Sequence, residues 1–181
     1  MSILDKVVAA ITPPESEEAR LKARAKARAS AGKDDWLSMV LNHHEQIERA
    51  FAAVKAASDP ASRASTLKVL ATLLTGHSLA EEAALYPALA GADEKGHAVK
   101  AYTEQSAAKL QLGLLQDLPP MSQEFIDKLK HIEGAVAHHV YEEESNWFLD
   151  LKTKTLAADQ AKLTKRYQEQ FARYMGDESD I

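Results

Sequence analysis

Large aliphatic side chains recur along this chain at intervals of three and four residues, and over no useful length do they alternate with polar ones. That is the period of an α-helix with one buried face, and it leaves little from which to build a sheet. Four long amphipathic segments follow from it, over about 36–57, 61–89, 94–117 and 122–151. Their stripes begin Leu37, Val40, Leu41; Leu67, Leu70, Leu74; Ala98, Ala101; and Phe125, Leu129, Ile132, Val136. Alanine supplies 32 of the 181 residues against 7 glycines and 6 prolines, which reinforces the expectation, because alanine loses no rotamer entropy in a helix. Pro119 and Pro120 stop the third segment. Short connections between long helices favour antiparallel neighbours, so the expected fold is all-α, an up-down-up-down four-helix bundle.

Two further pieces flank the bundle. Residues 2–11 carry Ile3, Leu4, Val7, Val8 and Ile11 on one helical side, and residues 15–31 alternate Ala with Arg, Lys and Glu. The expectation for 15–31 is a solvated helix or mobile arm whose basic run, Arg20 to Arg28, faces water or an acidic partner. A last amphipathic helix covers about 157–175, followed by a frayed tail at 177–180. The expected division is thus an N-terminal helix and charged arm at 1–34, a bundle at 35–152, and a C-terminal helix and tail at 153–181. A homo-oligomer or a protein partner is expected to engage residues 1–30.

Charge and composition remove several function classes. A net charge of −5 is not the footprint of a general nucleic-acid binder. The absence of cysteine excludes disulfides, thiolate metal sites and thiol nucleophiles. No apolar run reaches membrane-spanning length, and the N-terminus has no signal-peptide pattern, so no membrane association and a cytoplasmic location are expected.

Against this background five side chains are out of place. His44, His77, Glu81, His139 and Glu143 fall on stripes that are otherwise apolar. A buried carboxylate without a partner protonates, pairs or binds a metal. His77 and Glu81 are four residues apart, as are His139 and Glu143. On a helix that spacing separates two side chains by about 40° and about 6 Å, so each pair can converge on one ion. An imidazole and a carboxylate from each of two helices, with a third in-phase histidine, suit iron, manganese or zinc. A lone pair of this kind is more often structural; two in phase are not. His43 and His138, one residue off the stripe, face sideways, with the surface the expectation. His131 points to solvent, and His97 reaches the site only if its helix start does.

These residues carry a resemblance to the hemerythrin-like HHE cation-binding family over about 35–152. The carrying pieces are Leu41-Asn42-His43-His44, His77-Ser78-Leu79-Ala80-Glu81-Glu82 with Leu85-Tyr86-Pro87, and His138-His139-Val140-Tyr141-Glu142-Glu143-Glu144 with Phe148. The resemblance implies non-haem iron, one ion or two, held by His44, His77, Glu81, His139 and Glu143, with the two glutamates bridging. It implies a small ligand: dioxygen, nitric oxide or peroxide. The third helix departs from the family pattern. Where a histidine is normal this chain has Gln105, preceded by Glu104. That change leaves an open position, lets Glu104 turn in as a substitute, or weakens the second ion. Phe51, Tyr86, Tyr102 and Trp147 are expected around the centre. An oxidase- or peroxidase-type enzyme at the same centre, with no assignable catalytic residue, and a metal-free helical scaffold are the competing readings.

Overall fold

The computed structural model describes residues 15–92 and 94–176. Among them are seven α-helices, one π-helical turn and no strand. We number the helices α1 (Glu17–Ser30), α2 (Trp36–Ala56), α3 (Pro60–Gly91), α4 (Lys95–Leu115), α5 (Gln123–Glu142), α6 (Phe148–Lys154) and α7 (Ala157–Met175). The π turn, Glu143–Trp147, joins α5 to α6 without a break. The helix expected at 2–11 and the tail at 177–180 lie outside the described residues.

Capping explains the starts. Ser16, Asp35, Asp59 and Ser122 each accept hydrogen bonds from first-turn amides, which carry no intrahelical partner of their own. Pro60 begins α3, where its missing N–H costs nothing. Short links after α2, α3 and α4 set each helix beside the one before it. α2 packs on α3, α3 on α4, α4 on α5, and α5 returns to α2, which closes the four-helix bundle. No described helix is long and apolar enough to cross a membrane.

The bundle interior falls into two apolar clusters. One end holds Trp36, Leu41, Leu85, Leu89, Trp147 and Phe148; the other holds Phe51, Leu70, Leu74, Phe125, Leu129 and Ile132. Between these clusters each of the four helices, the last together with the π turn that continues it, buries polar residues: His44, His77 with Glu81, Gln105, and His139 with Glu143. The hydrophobic effect therefore forms two plugs, with a polar layer held between them.

The flanking helices are structural, which corrects the expectation of a solvated arm. α1 buries Ala23 and Ala27 and packs on the π turn, α2 and α6. Its Arg24 is turned inward, with Nε on Glu144 and both terminal nitrogens on Glu48. Arg28 bonds Glu45. Leu21, the one large aliphatic of α1, is exposed. α7 lies along α3 and α2. Gly76 permits this contact, since a Cβ there would sit 2.9 Å from Met175 Sδ and 3.0 Å from Tyr174.

Candidate metal centre

His44, His77, Glu81 and Glu143 meet in the polar layer. One ligand atom from each lies within 4.8 Å of all the others. His44 Nε2 is 3.3 Å from Glu143 Oε2 and 3.8 Å from Glu81 Oε1, and His77 Nε2 is 3.3 Å from Glu81 Oε2. His44, Glu81 and Glu143 are completely buried. Even so, His44 Nε2, His77 Nε2, Glu81 Oε1 and Glu143 Oε2 make no hydrogen bond. Four buried polar atoms in that condition cost several kcal/mol in sum (about 1–3 kcal/mol each), unless a further group satisfies them.

The other nitrogen of each imidazole is anchored. Glu144 accepts from His44 Nδ1 at 2.8 Å, Glu104 accepts from His139 Nδ1 at 2.9 Å, and the Tyr167 hydroxyl lies 3.0 Å from His77 Nδ1. A partner on Nδ1 fixes the ring plane and leaves Nε2 free to ligate, the arrangement metal-binding histidines normally show.

The π turn produces part of this geometry. The Phe148 N–H bonds the Glu143 carbonyl, five residues back rather than four. The wider turn buries two consecutive acids: Glu143 beside His44 Nε2 and Glu144 on His44 Nδ1. Neighbouring residues of one turn thus face the two nitrogens of one imidazole, Glu144 as the acceptor from Nδ1 and Glu143 as a carboxylate close to the unbonded Nε2. Short π segments of this kind are frequent at functional sites.

The second half of the layer is built differently. His139 Nε2 is 3.3 Å from Glu143 Oε1, and the Tyr86 hydroxyl lies among His139 Nε2, Glu143 Oε1 and Glu81 Oε2, at 3.1, 2.9 and 3.1 Å. The Gln105 amide donates to Glu81 Oε2 at 2.5 Å. Here the ligand atoms of His139, Glu81 and Glu143 already have partners and Gln105 Oε1 alone does not, whereas none of the four in the first half has one.

Protonation follows the crowding. Burial and the neighbouring Glu143 charge push Glu81 up to about 7, whereas Glu143, although buried, is held well below the carboxylate range by His139 and His44. Burial alone would discharge His44 and His139. The carboxylates around them outweigh it, raising His44 well above its usual value and His139 to about 10. Burial and the neighbouring positive ring of His44 lower His77 well below its usual value. Burial and the two carboxylates keep the Tyr86 phenol protonated.

All five residues singled out as ligands come together. Three expectations need correction. Glu104 does not turn into the centre; it stands behind His139, on the nitrogen facing away. Tyr102 is a surface residue whose hydroxyl donates to the Glu82 carbonyl, with its ring edge-on to Tyr86. His43 is buried, stacked on Phe171 and 2.8 Å from the Tyr167 hydroxyl. Tyr86 lies in the polar layer itself. Trp147 packs edge-on against His139, and Phe51 belongs to the apolar cluster beneath His44. His131 is exposed, His138 pairs with Glu15, and His97 stacks on Trp147 with Nδ1 2.9 Å from Glu94. Sequence reasoning missed Glu144, Arg24 and Tyr167. The only signal for Glu144 was its place in the run Glu142-Glu143-Glu144.

The family model described as "Hemerythrin HHE cation binding domain" matches residues 37–151, more than half of the chain. The chain belongs to the hemerythrin HHE cation-binding family. The HHE domain so defined contains α2 to α5, the π turn and part of α6, and excludes α1 and α7. It is also similar to a protein named "DNA nickase" from Nostoc sp. (strain PCC 7120 / SAG 25.82 / UTEX 2576), 28% identical over 109 residues. That match covers 60% of this chain and 31% of the relative, so the chain spans about a third of the relative's length. No solved structure is a significant match.

Proposed function

We propose that this HHE domain holds non-haem iron and that the centre binds, senses or reacts with dioxygen, nitric oxide or a peroxide. One observation carries the reading: four buried ligand atoms face one another without hydrogen bonds, while the opposite nitrogen of each histidine is held by another residue. The donor set of imidazole nitrogen and carboxylate oxygen fits iron and is unsuited to soft copper(I).

His44, His77, Glu81 and Glu143 would hold the first ion. His139, with the remaining oxygens of Glu81 and Glu143, would hold a second, in competition with the hydrogen bonds of Tyr86 and Gln105. Bound iron would supply the redox change and a free coordination position for the ligand. The chain's residues do the rest. Glu144 and Glu104 orient the rings. The Tyr86 O–H donates to the carboxylate pair and keeps a proton within reach of it. Trp147, Phe148 and Leu74 restrict water. A cavity of about 20 Å³ lies against His77, Gln105 and His139, walled by Ile47, Leu74, Ala108 and Val136. That is room for a water or a diatomic molecule and little more, which supports a small ligand.

The test is elemental analysis of freshly purified protein, with anomalous scattering to place the ions. His77→Ala and Glu143→Ala are each expected to lower bound iron at least tenfold, and exposed His131→Ala to leave it unchanged. Equal iron in all three would defeat the assignment. Enzymatic turnover is the second reading, favoured by the proton-holding Tyr86 and Glu81; accumulation of product from peroxide, against a reversible spectral change with dioxygen, separates the two. Cutting of DNA is not proposed. The nickase name belongs to a protein about three times as long as the shared region, and the basic side chains Arg24 and Arg28 are spent on Glu48, Glu144 and Glu45 rather than lining a groove.

A further inference from the structure

We propose that the two helices outside the family match are part of the metal centre: Tyr167 on α7 is a positioning residue for His77, and Arg24 on α1, through Glu144, for His44. The inference rests on the metal reading above and assigns its outer shell.

His77 ligates through Nε2 only if Nδ1 carries the ring proton, and the group accepting that proton sets the tautomer. The hydrogen-bond partner of His77 Nδ1 is the hydroxyl of Tyr167, at 3.0 Å. The same oxygen is 2.8 Å from His43 Nδ1. A hydroxyl has one proton to give and lone pairs to accept with. Tyr167 therefore accepts from His77 Nδ1–H and donates to His43 Nδ1, with the His43 proton on its far nitrogen. The reverse assignment would place a proton on His77 Nε2 and remove it as a ligand. Tyr167 is completely buried, and its ring stacks against His43, so the hydroxyl has little freedom.

His44 is served from the opposite flank. Glu144 accepts from His44 Nδ1, and both Glu144 oxygens are taken by Arg24 Nε, at 2.9 and 3.1 Å. Arg24 is tied in turn to Glu48 by two bonds of 2.8 Å. An unpaired carboxylate at this depth would draw the His44 proton or reorient; the guanidinium fork keeps it in one place. Both clamps act on the half of the layer whose four ligand atoms have no partner. His139, in the other half, is oriented by Glu104 from within the HHE domain.

The experiment is a zinc(II) and anaerobic iron(II) titration of the full-length chain, comparing wild type, Tyr167→Phe, Arg24→Gln and exposed His131→Ala. Tyr167→Phe keeps the ring packing and removes one oxygen. It is expected to weaken the first binding event by about 10–100-fold, and long-range proton–nitrogen spectra of the zinc form should lose the hydrogen-bonded Nδ1–H of His77. Arg24→Gln should weaken the same event, with His131→Ala at wild-type affinity. Helix content and melting of the metal-free variants report any purely structural effect. Wild-type affinity in Tyr167→Phe and Arg24→Gln, with melting alone lowered, would overturn the positioning role and leave the metal reading intact. A wild-type chain that takes up no metal would remove both.

Discussion

At the scale of single residues the centre is asymmetric, and Gln105 is one reason. Its amide donates to Glu81 Oε2 and occupies an oxygen that a second ion would need. An imidazole there would offer a stronger donor than an amide oxygen. Gln105→His is accordingly expected to raise metal content toward two ions per chain, read by elemental analysis; unchanged content would mean that this position does not control the second half. His44, His77, Glu81, His139 and Glu143 were legible in the sequence because ionisable groups on an apolar stripe conflict with the helix's own pattern. Tyr86 was ambiguous, since a tyrosine among leucines reads as packing. Glu144 and His43 were not legible. Each is one position off the stripe, and it takes the π turn in one case and the cover of α7 in the other to bury them.

At the scale of elements, periodicity recovers the helices but not what α1 does. Its residues look solvated because they are nearly all charged or alanine, and only the carboxylates of two other segments, Glu45 and Glu48 of α2 and Glu144 of the π turn, turn its arginines inward. The π turn has no residue signature at all. The junction of α1 with α2 depends on Asp35, which accepts from the Ser38 and Gly32 amides at 2.8 and 2.7 Å and from Lys152 at 2.5 Å. Burial would raise this carboxyl, but Lys152 and the amides hold it below its ordinary 3.8. A folded value below the unfolded one stabilises the chain above pH 3.8, and that contribution is lost as pH falls through the folded value. Asp35→Ala should thus cost about 1 kcal/mol at pH 7, the usual worth of an N-cap. Denaturant melts should show the difference from wild type shrinking as pH falls below 3.8. A gap of the same size at pH 7 and at the acid end would remove the charge from the explanation.

At the scale of the whole molecule, two apolar plugs hold a layer of acids and imidazoles that are poorly satisfied by one another. A bound ion stabilises the fold by mass action, about 2.7 kcal/mol at a hundredfold excess over its dissociation constant. In a chain of this size that corresponds to about 5–10 °C. Anaerobic iron(II) should therefore raise the melting temperature of stripped protein by that amount and a chelator should reverse it, whereas no shift would leave the helical scaffold. The all-α bundle was legible because period and proline placement agree; the packing of α1 and α7 on the bundle was not, because it is made of long-range contacts between ordinary-looking surfaces. One consequence concerns traffic. His44, Glu81 and Glu143 have no surface exposed to water, with Tyr167 of α7 behind His77 Nδ1 and Glu144, itself held by Arg24 of α1, behind His44 Nδ1. For a cation to reach them the rods would have to part, so any uptake would run at the pace of their breathing, and an ion once captured would depart no faster than the chain lets go.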